Sequence, residues 1–176
     1  MKKIIIRIIC VLFFVLTISA CSVFDDVIKR KKWNSTLLFN KDNIKIKKIS
    51  YVDLIGLSIH GECFDYYKYE IKNINDWNCD NDFPNFNMMF DTTLLQNISY
   101  LHWQKTPIIN DKDFESLSFI IYSSNFSKNE ITKDFLERNL FNEEGNYYCY
   151  FGAYPIGIYI FIFSPKDDVL HIIVKK

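Results

Sequence analysis

The stretch Ile158-Tyr159-Ile160-Phe161-Ile162-Phe163-Ser164-Pro165-Lys166-Asp167-Asp168-Val169-Leu170-His171-Ile172-Ile173-Val174 sets the architecture. Two apolar runs rich in Ile, Val and Phe flank a short cluster of turn residues. That is the pattern of a β-hairpin. Upstream, Asn146–Ala153 is a third strand, set apart by Pro155 and Gly157. It places Tyr147, Cys149 and Phe151 on one face and Tyr148 and Tyr150 on the other.

Before these strands, Ser127-Lys128-Asn129-Glu130 has the form of a capping box, with Phe126 and Ile131 placed for a hydrophobic staple. The helix it opens runs over about 128–141 and turns Ile131, Phe135, Leu136 and Leu140 to one side. Leu117–Tyr122 is a short apolar run that reads as a buried strand. Asp91 is suited to cap a helical turn through Leu94 and Leu95. From Ile98 to Lys105, the apolar residues Ile98, Leu101 and Trp103 keep no single period. A short helix followed by a strand is expected there, stopped at Thr106-Pro107.

Nearer the N-terminus, Ile44–His60 and Cys63–Ile71 read as strands joined around His60-Gly61-Glu62. In the second, Cys63, Asp65, Tyr67 and Tyr69 alternate with Phe64, Tyr66, Lys68 and Glu70. Asn73–Asn87 is a polar, Asn- and Asp-rich loop. The expected fold class is therefore α+β. It is a mostly antiparallel sheet with one main helix (about 128–141) packed on it and a C-terminal β-hairpin, forming a single globular domain over 36–176.

The first residues have a different character. Lys2, Lys3 and Arg7 give a basic start, and Ile4–Ile18 is almost wholly apolar without an acid. The run is short for a spanning helix and ends in small residues rather than a basic stop. It closes on Ile18-Ser19-Ala20-Cys21: an aliphatic residue, two small residues, then a cysteine. This resembles the lipobox of bacterial lipoprotein precursors, and the resemblance covers residues 1–21 alone. It implies a signal peptide over 1–20, cleavage before Cys21, and acylation of the Cys21 thiol and freed amine. Each buried methylene adds about 0.8 kcal/mol, so several chains hold firmly. Residues 21–35 then form a lipidated tether. In Gram-negative lipoproteins an Asp after the anchor favours inner-membrane retention. Ser22 stands there, which directs the expectation to the outer membrane, facing the periplasm.

Removing Lys2, Lys3 and Arg7 from 21 basic residues leaves 18 against 21 acidic ones, a net charge of −3. Such a chain has no basic excess for nucleic acid. Lys29-Arg30-Lys31-Lys32 is read as a solvated stretch of the tether.

Beside Cys10 in the leader and Cys21, three cysteines remain. An oxidising compartment favours a disulfide. Cys63–Cys79 is the candidate pair, with Cys149 the alternative partner. Asp76, Asn78, Asp80 and Asp82 alternate as in the opening of an EF-hand loop. Asn81 stands where that loop needs Gly and Asn87 where it needs a bidentate Glu. A solvated acidic loop is the preferred reading, and any calcium there would be weakly held. His60, Glu62 and Cys63 are close in sequence, but neighbours on a strand point to opposite faces. No metal-ligand spacing, nucleophile elbow, Walker loop or dinucleotide glycine motif is present. No cofactor and no enzymatic activity are expected.

Asp65, Tyr67 and Tyr69, with Asp76, Trp77, Asp80 and Asp82 of the loop, make an acidic and aromatic surface candidate for a protein partner. The function expected is that of a membrane-anchored, non-enzymatic envelope lipoprotein binding a protein, of the immunity or inhibitor type, with a toxin as one possible partner. The alternative is a structural or assembly accessory of the envelope, or a binder of lipid or glycan, which would need an apolar pocket between sheet and helix.

Overall fold

A computed structural model describes residues 33–53, 63–74, 77–78, 82–122 and 133–176. One compact unit runs from Asn34 to Lys176. Its described elements are α1 (Ser35–Phe39), β1 (Lys45–Asp53), β2 (Phe64–Lys72), α2 (Phe86–Met89), a 3-10 turn (Thr92–Leu94), β3 (Gln96–Lys105), α3 (Asp111–Tyr122), α4 (Lys133–Glu137) running into a π turn (Arg138–Asn142), β4 (Tyr147–Tyr154), β5 (Gly157–Ser164) and β6 (Val169–Lys175). The strands form one antiparallel sheet in the order β1-β2-β6-β5-β4-β3. The fold is thus a mostly antiparallel six-stranded sheet with several short helices.

The C-terminal hairpin is β5–β6. Pro165–Asp167 make a 3-10 turn, and Asp168 adopts the left-handed conformation at φ 53°. The Ser164 hydroxyl donates to the Asp167 carboxylate at 3.1 Å. The Asp168 carbonyl accepts from the Ile71 amide at 2.8 Å, which ties the turn to β2. At the other end of β5, Gly157 has φ +83°, and a Cβ there would run into the Lys175 carbonyl. Only glycine combines that φ with so close a backbone approach.

Both faces of the sheet are covered, which explains the near-continuous apolar runs. On one face, Phe64, Tyr66, Tyr148, Tyr150, Ile160, Ile162 and Ile173 pack against Ile108, Leu117, Leu136 and Leu140 of the helical segment. The opposite face is aromatic. Phe39 stacks on Trp103 with centroids 5.6 Å apart and meets Phe163 at 5.4 Å. Phe90 stacks on Phe151 at 4.4 Å, and Phe86 lies 5.3 Å from Phe151. The indole of Trp103 donates to the Leu38 carbonyl at 2.7 Å, so its one polar atom is satisfied in the core.

Three expectations need amending. Leu117–Tyr122 is not a strand but the second half of α3, the longest described helix. The Asn110 side chain accepts from the Lys112 amide at 2.9 Å, and Asp111 and Asp113 occupy the first turn. That cap and those acids are the helix-start signals, and they outweigh a short apolar run. The helix expected over about 128–141 appears as α4 and its π turn. The Ser127 capping box lies outside the described residues, as does the β1–β2 turn at His60–Glu62.

The third concerns 98–105, which is strand throughout. Its broken period has a cause. The register between β3 and β4 shifts between Leu101 and Gln104. Leu101 packs with the helical face, whereas Trp103 joins Phe39 and Trp77 on the aromatic face. A bulge inserts a residue and exchanges the faces beyond it.

Candidate binding surface

The residues proposed for partner binding do not form one exposed patch. Asp65, Tyr67 and Tyr69 are 6%, 5% and 6% exposed, so these three belong to the interior. The Tyr51 hydroxyl donates to Asp65 at 2.8 Å and the Tyr67 hydroxyl at 3.4 Å. The Lys48 ammonium lies over the rings of Tyr51 and Tyr67, at 5.1 and 5.5 Å from their centroids. Burial, and then the Asp65 charge, push the Tyr67 hydroxyl well above the usual tyrosine range. β2 is flanked by β1 and β6, so its residues lack the exposure that an isolated hairpin would give them. Trp77 is likewise held, edge-on to Tyr147 at 4.8 Å and to Phe163 at 5.3 Å. Asp82 is exposed; Asp76 and Asp80 lie outside the described residues.

Cys63 carries a free thiol and Cys149 is in no disulfide. The expected Cys63–Cys79 bond is therefore not made here, and Cys79 lies outside the described residues. The alternative with Cys149 is excluded by topology. β2 and β4 are separated by β6 and β5, so the two thiols are at least about 14 Å apart, far beyond disulfide reach. Burial, followed by the Asp65 carboxylate, pushes the Cys63 thiol up to about 11. A thiol held there is a poor nucleophile at neutral pH.

His60 lies outside the described residues. The Nδ1 of His171 is 2.8 Å from the Tyr66 hydroxyl, and its ring lies 4.9 Å from Phe135. Burial, with Lys68 adding to it, lowers the imidazole to about 4, against a smaller opposing effect of Asp167. Among the described residues no three His, Cys, Asp or Glu side chains cluster in a way that could hold a metal ion. Asn78 and Asp82 of the calcium candidate are exposed. Cys21 and the basic run at 29–32 also lie outside the described residues. No described helix is long and apolar enough to cross a membrane.

Among the described residues a concave feature lies elsewhere, beside β3. Asp82, Asn85, Phe86, Asn87, Tyr100 and His102 line a half-open groove of ≈ 230 Å³. The end of the Asn-rich loop contributes Asp82 and Asn85, and α2 contributes Phe86 and Asn87. Asn85 also caps α2, its side-chain oxygen accepting from the Met88 amide at 3.2 Å. His102 Nδ1 lies 3.2 Å from the Pro84 carbonyl. A carbonyl only accepts, so Nδ1 carries a proton. The rings of Phe86 and His102 stack at 6.0 Å, and Tyr100 meets His102 edge-on at 5.2 Å.

Exposed apolar side chains lie on two of the elements that line it, Met88 (71% exposed) on α2 and Ile98 (42%) and Tyr100 (49%) on β3, and Leu94 (83%) is exposed on the 3-10 turn between them in the chain. The Asp91 carboxylate caps that turn, accepting from the Thr93 amide at 3.1 Å and its hydroxyl at 2.6 Å. Phe86, Tyr100 and His102 escaped the sequence reading. The available signal was the absence of charge in Gln96–Gln104, which only matters once β3 is known to be an edge.

No family model matches this chain. No curated protein and no solved structure matches it either.

Proposed function

We propose that the protein is a non-enzymatic lipoprotein of the bacterial envelope. Acylated Cys21 holds it, outer membrane facing the periplasm, and it binds a protein partner in the manner of an immunity or inhibitor protein. The carrying observation is strand β3, which bears exposed Ile98 and Tyr100 and lines a polar, aromatic groove. The state of half-buried Cys63 and buried His171 agrees with a binding role. Cys63 is held protonated and His171 is bonded to Tyr66, so neither is poised as a base or nucleophile.

The test is site-specific photocrosslinking in the native cell, with the full acylated chain carrying the crosslinker at Ile98, and at Ile109 as an exposed control. A discrete protein adduct at Ile98 but not Ile109 is expected. Equal labelling at both, or none at Ile98, overturns the reading. The anchor is tested by mass spectrometry of the processed N-terminus and by Cys21→Ala, which is expected to release the protein from membranes.

A second reading, glycan binding, is favoured by the lining itself. One carboxylate, two amides and aromatic rings suit a sugar's hydroxyls and its apolar face. Saturable binding of a soluble saccharide at the groove, together with no Ile98 adduct, would support that reading over the first.

A further inference from the structure

The two edges of the sheet are treated differently. β1 carries Lys45, Lys47 and Lys48, and lysines on an edge discourage pairing with a foreign strand. β3, the opposite edge, has no charged residue from Gln96 to Gln104. Along Asn97–Leu101 the described residues give β3 one neighbour, β4. At its far end the same edge already accepts chain: the backbone amide of Trp103 donates to the Phe83 carbonyl at 2.9 Å, and the ring Nδ1 of His102 lies 3.2 Å from the Pro84 carbonyl. Outward backbone groups of β3 are thus usable, and the groove lies where this short segment leaves the edge.

Among the described residues the groove's lining has one carboxylate, that of Asp82, which also interacts within the protein, no Lys or Arg, and the rings of Phe86, Tyr100 and His102. At ≈ 230 Å³ it is smaller than the roughly 300–1,000 Å³ common for small-molecule pockets, and is sized for one long side chain. A guanidinium or ammonium can lie on an aromatic face and pair with a carboxylate at once. We infer that the partner enters as an extended segment that adds a strand to β3 over about residues 97–101 and seats a basic side chain in the groove against Asp82.

This rests on the protein-binding reading and names its chemistry. The register shifts on both sides of Ser99–Leu101 limit the added strand to a few residues. Backbone pairing alone would then be weak, and the basic anchor supplies the specificity.

The experiment uses the full acylated protein in micelles. The probe is a capped six-residue peptide alternating valine and threonine with one central arginine; its twin carries glutamate instead. The arginine peptide is expected to slow amide exchange over 97–101 and to bind at least about tenfold more tightly than the twin. Asp82→Asn is expected to remove most of that preference, whereas Lys47→Glu on β1 leaves it unchanged. Equal binding of both peptides, protection at β1, or an Asp82→Asn variant that binds like the parent overturns the inference. Protection of 97–101 without peptide, with dimers in sedimentation, overturns it in favour of a second copy. An Ile98 crosslink in cells that is indifferent to Asp82→Asn refutes this inference while the protein-binding reading stands. No Ile98 crosslink in cells, with the peptide preference intact, overturns the protein-binding reading and with it the partner named here, while the strand-accepting edge itself stands.

Discussion

Acid should loosen this fold through one residue. His171 sits on β6 between β2 and β5, 6% exposed, its Nδ1 bonded to the Tyr66 hydroxyl and its ring against Phe135. Its neutral form is favoured in the fold, with the imidazole lowered from 6.5 to about 4. The unfolded chain takes up a proton first as the pH falls. The contribution of the neutral ring is complete above about 6.5 and is lost progressively down to about 4. Across that window the difference is about 3 kcal/mol, at about 1.36 kcal/mol per pH unit. Carboxylates titrate in the same range, so the informative quantity is the difference between parent and His171→Gln. The glutamine amide can donate to or accept from the Tyr66 hydroxyl but takes no proton. Urea midpoints of the full acylated chain, measured in micelles from about pH 7 to about pH 4.5, should converge. The parent is expected to lose about 2 kcal/mol more than the variant. Parallel pH profiles would refute the reasoning, and would mean that water or a shifted Tyr66 solvates the charged ring.

Other substitutions test the packing. Phe39→Ala removes a ring that stacks on Trp103 and meets Phe163, and should cost about 3–5 kcal/mol in denaturant titrations; Met88→Ala, exposed, should stay within about 0.5 kcal/mol. Gly157→Ala combines positive φ with a clash on Lys175 and should cost more than about 2 kcal/mol. Gly145→Ala shares the positive φ but meets nothing, so about 1 kcal/mol is expected. Alkylation of Cys63 at neutral pH should be roughly a hundredfold slower than for an ordinary thiol, because its pKa lies near 11 rather than 9.0. Fast labelling in the folded protein, or a Cys63–Cys79 bond found by mass spectrometry, would overturn that assignment.

Much of the sheet was legible before any coordinates. The β5–β6 hairpin, the facing of β4 and β2, and the cap at Asp91 follow from alternation and turn chemistry, which act between near neighbours. α3 was legible too, through Asn110, Asp111 and Asp113, but its apolar second half suggested a strand. The broken period at Ile98, Leu101 and Trp103 was a real signal, of a bulge rather than a helix.

Local residue pattern therefore established where strands and turns fall and which side chains share a face, since those depend on backbone sterics within a few residues. Tertiary structure decided which faces see water. Pairing β2 with both β1 and β6 buried Asp65, Tyr67 and Tyr69, while closing the meander on β3 left Ile98 and Tyr100 outside beside Asp82. Edge or centre is a property of strand order, set by contacts between residues distant in the chain, and no window of sequence contains it.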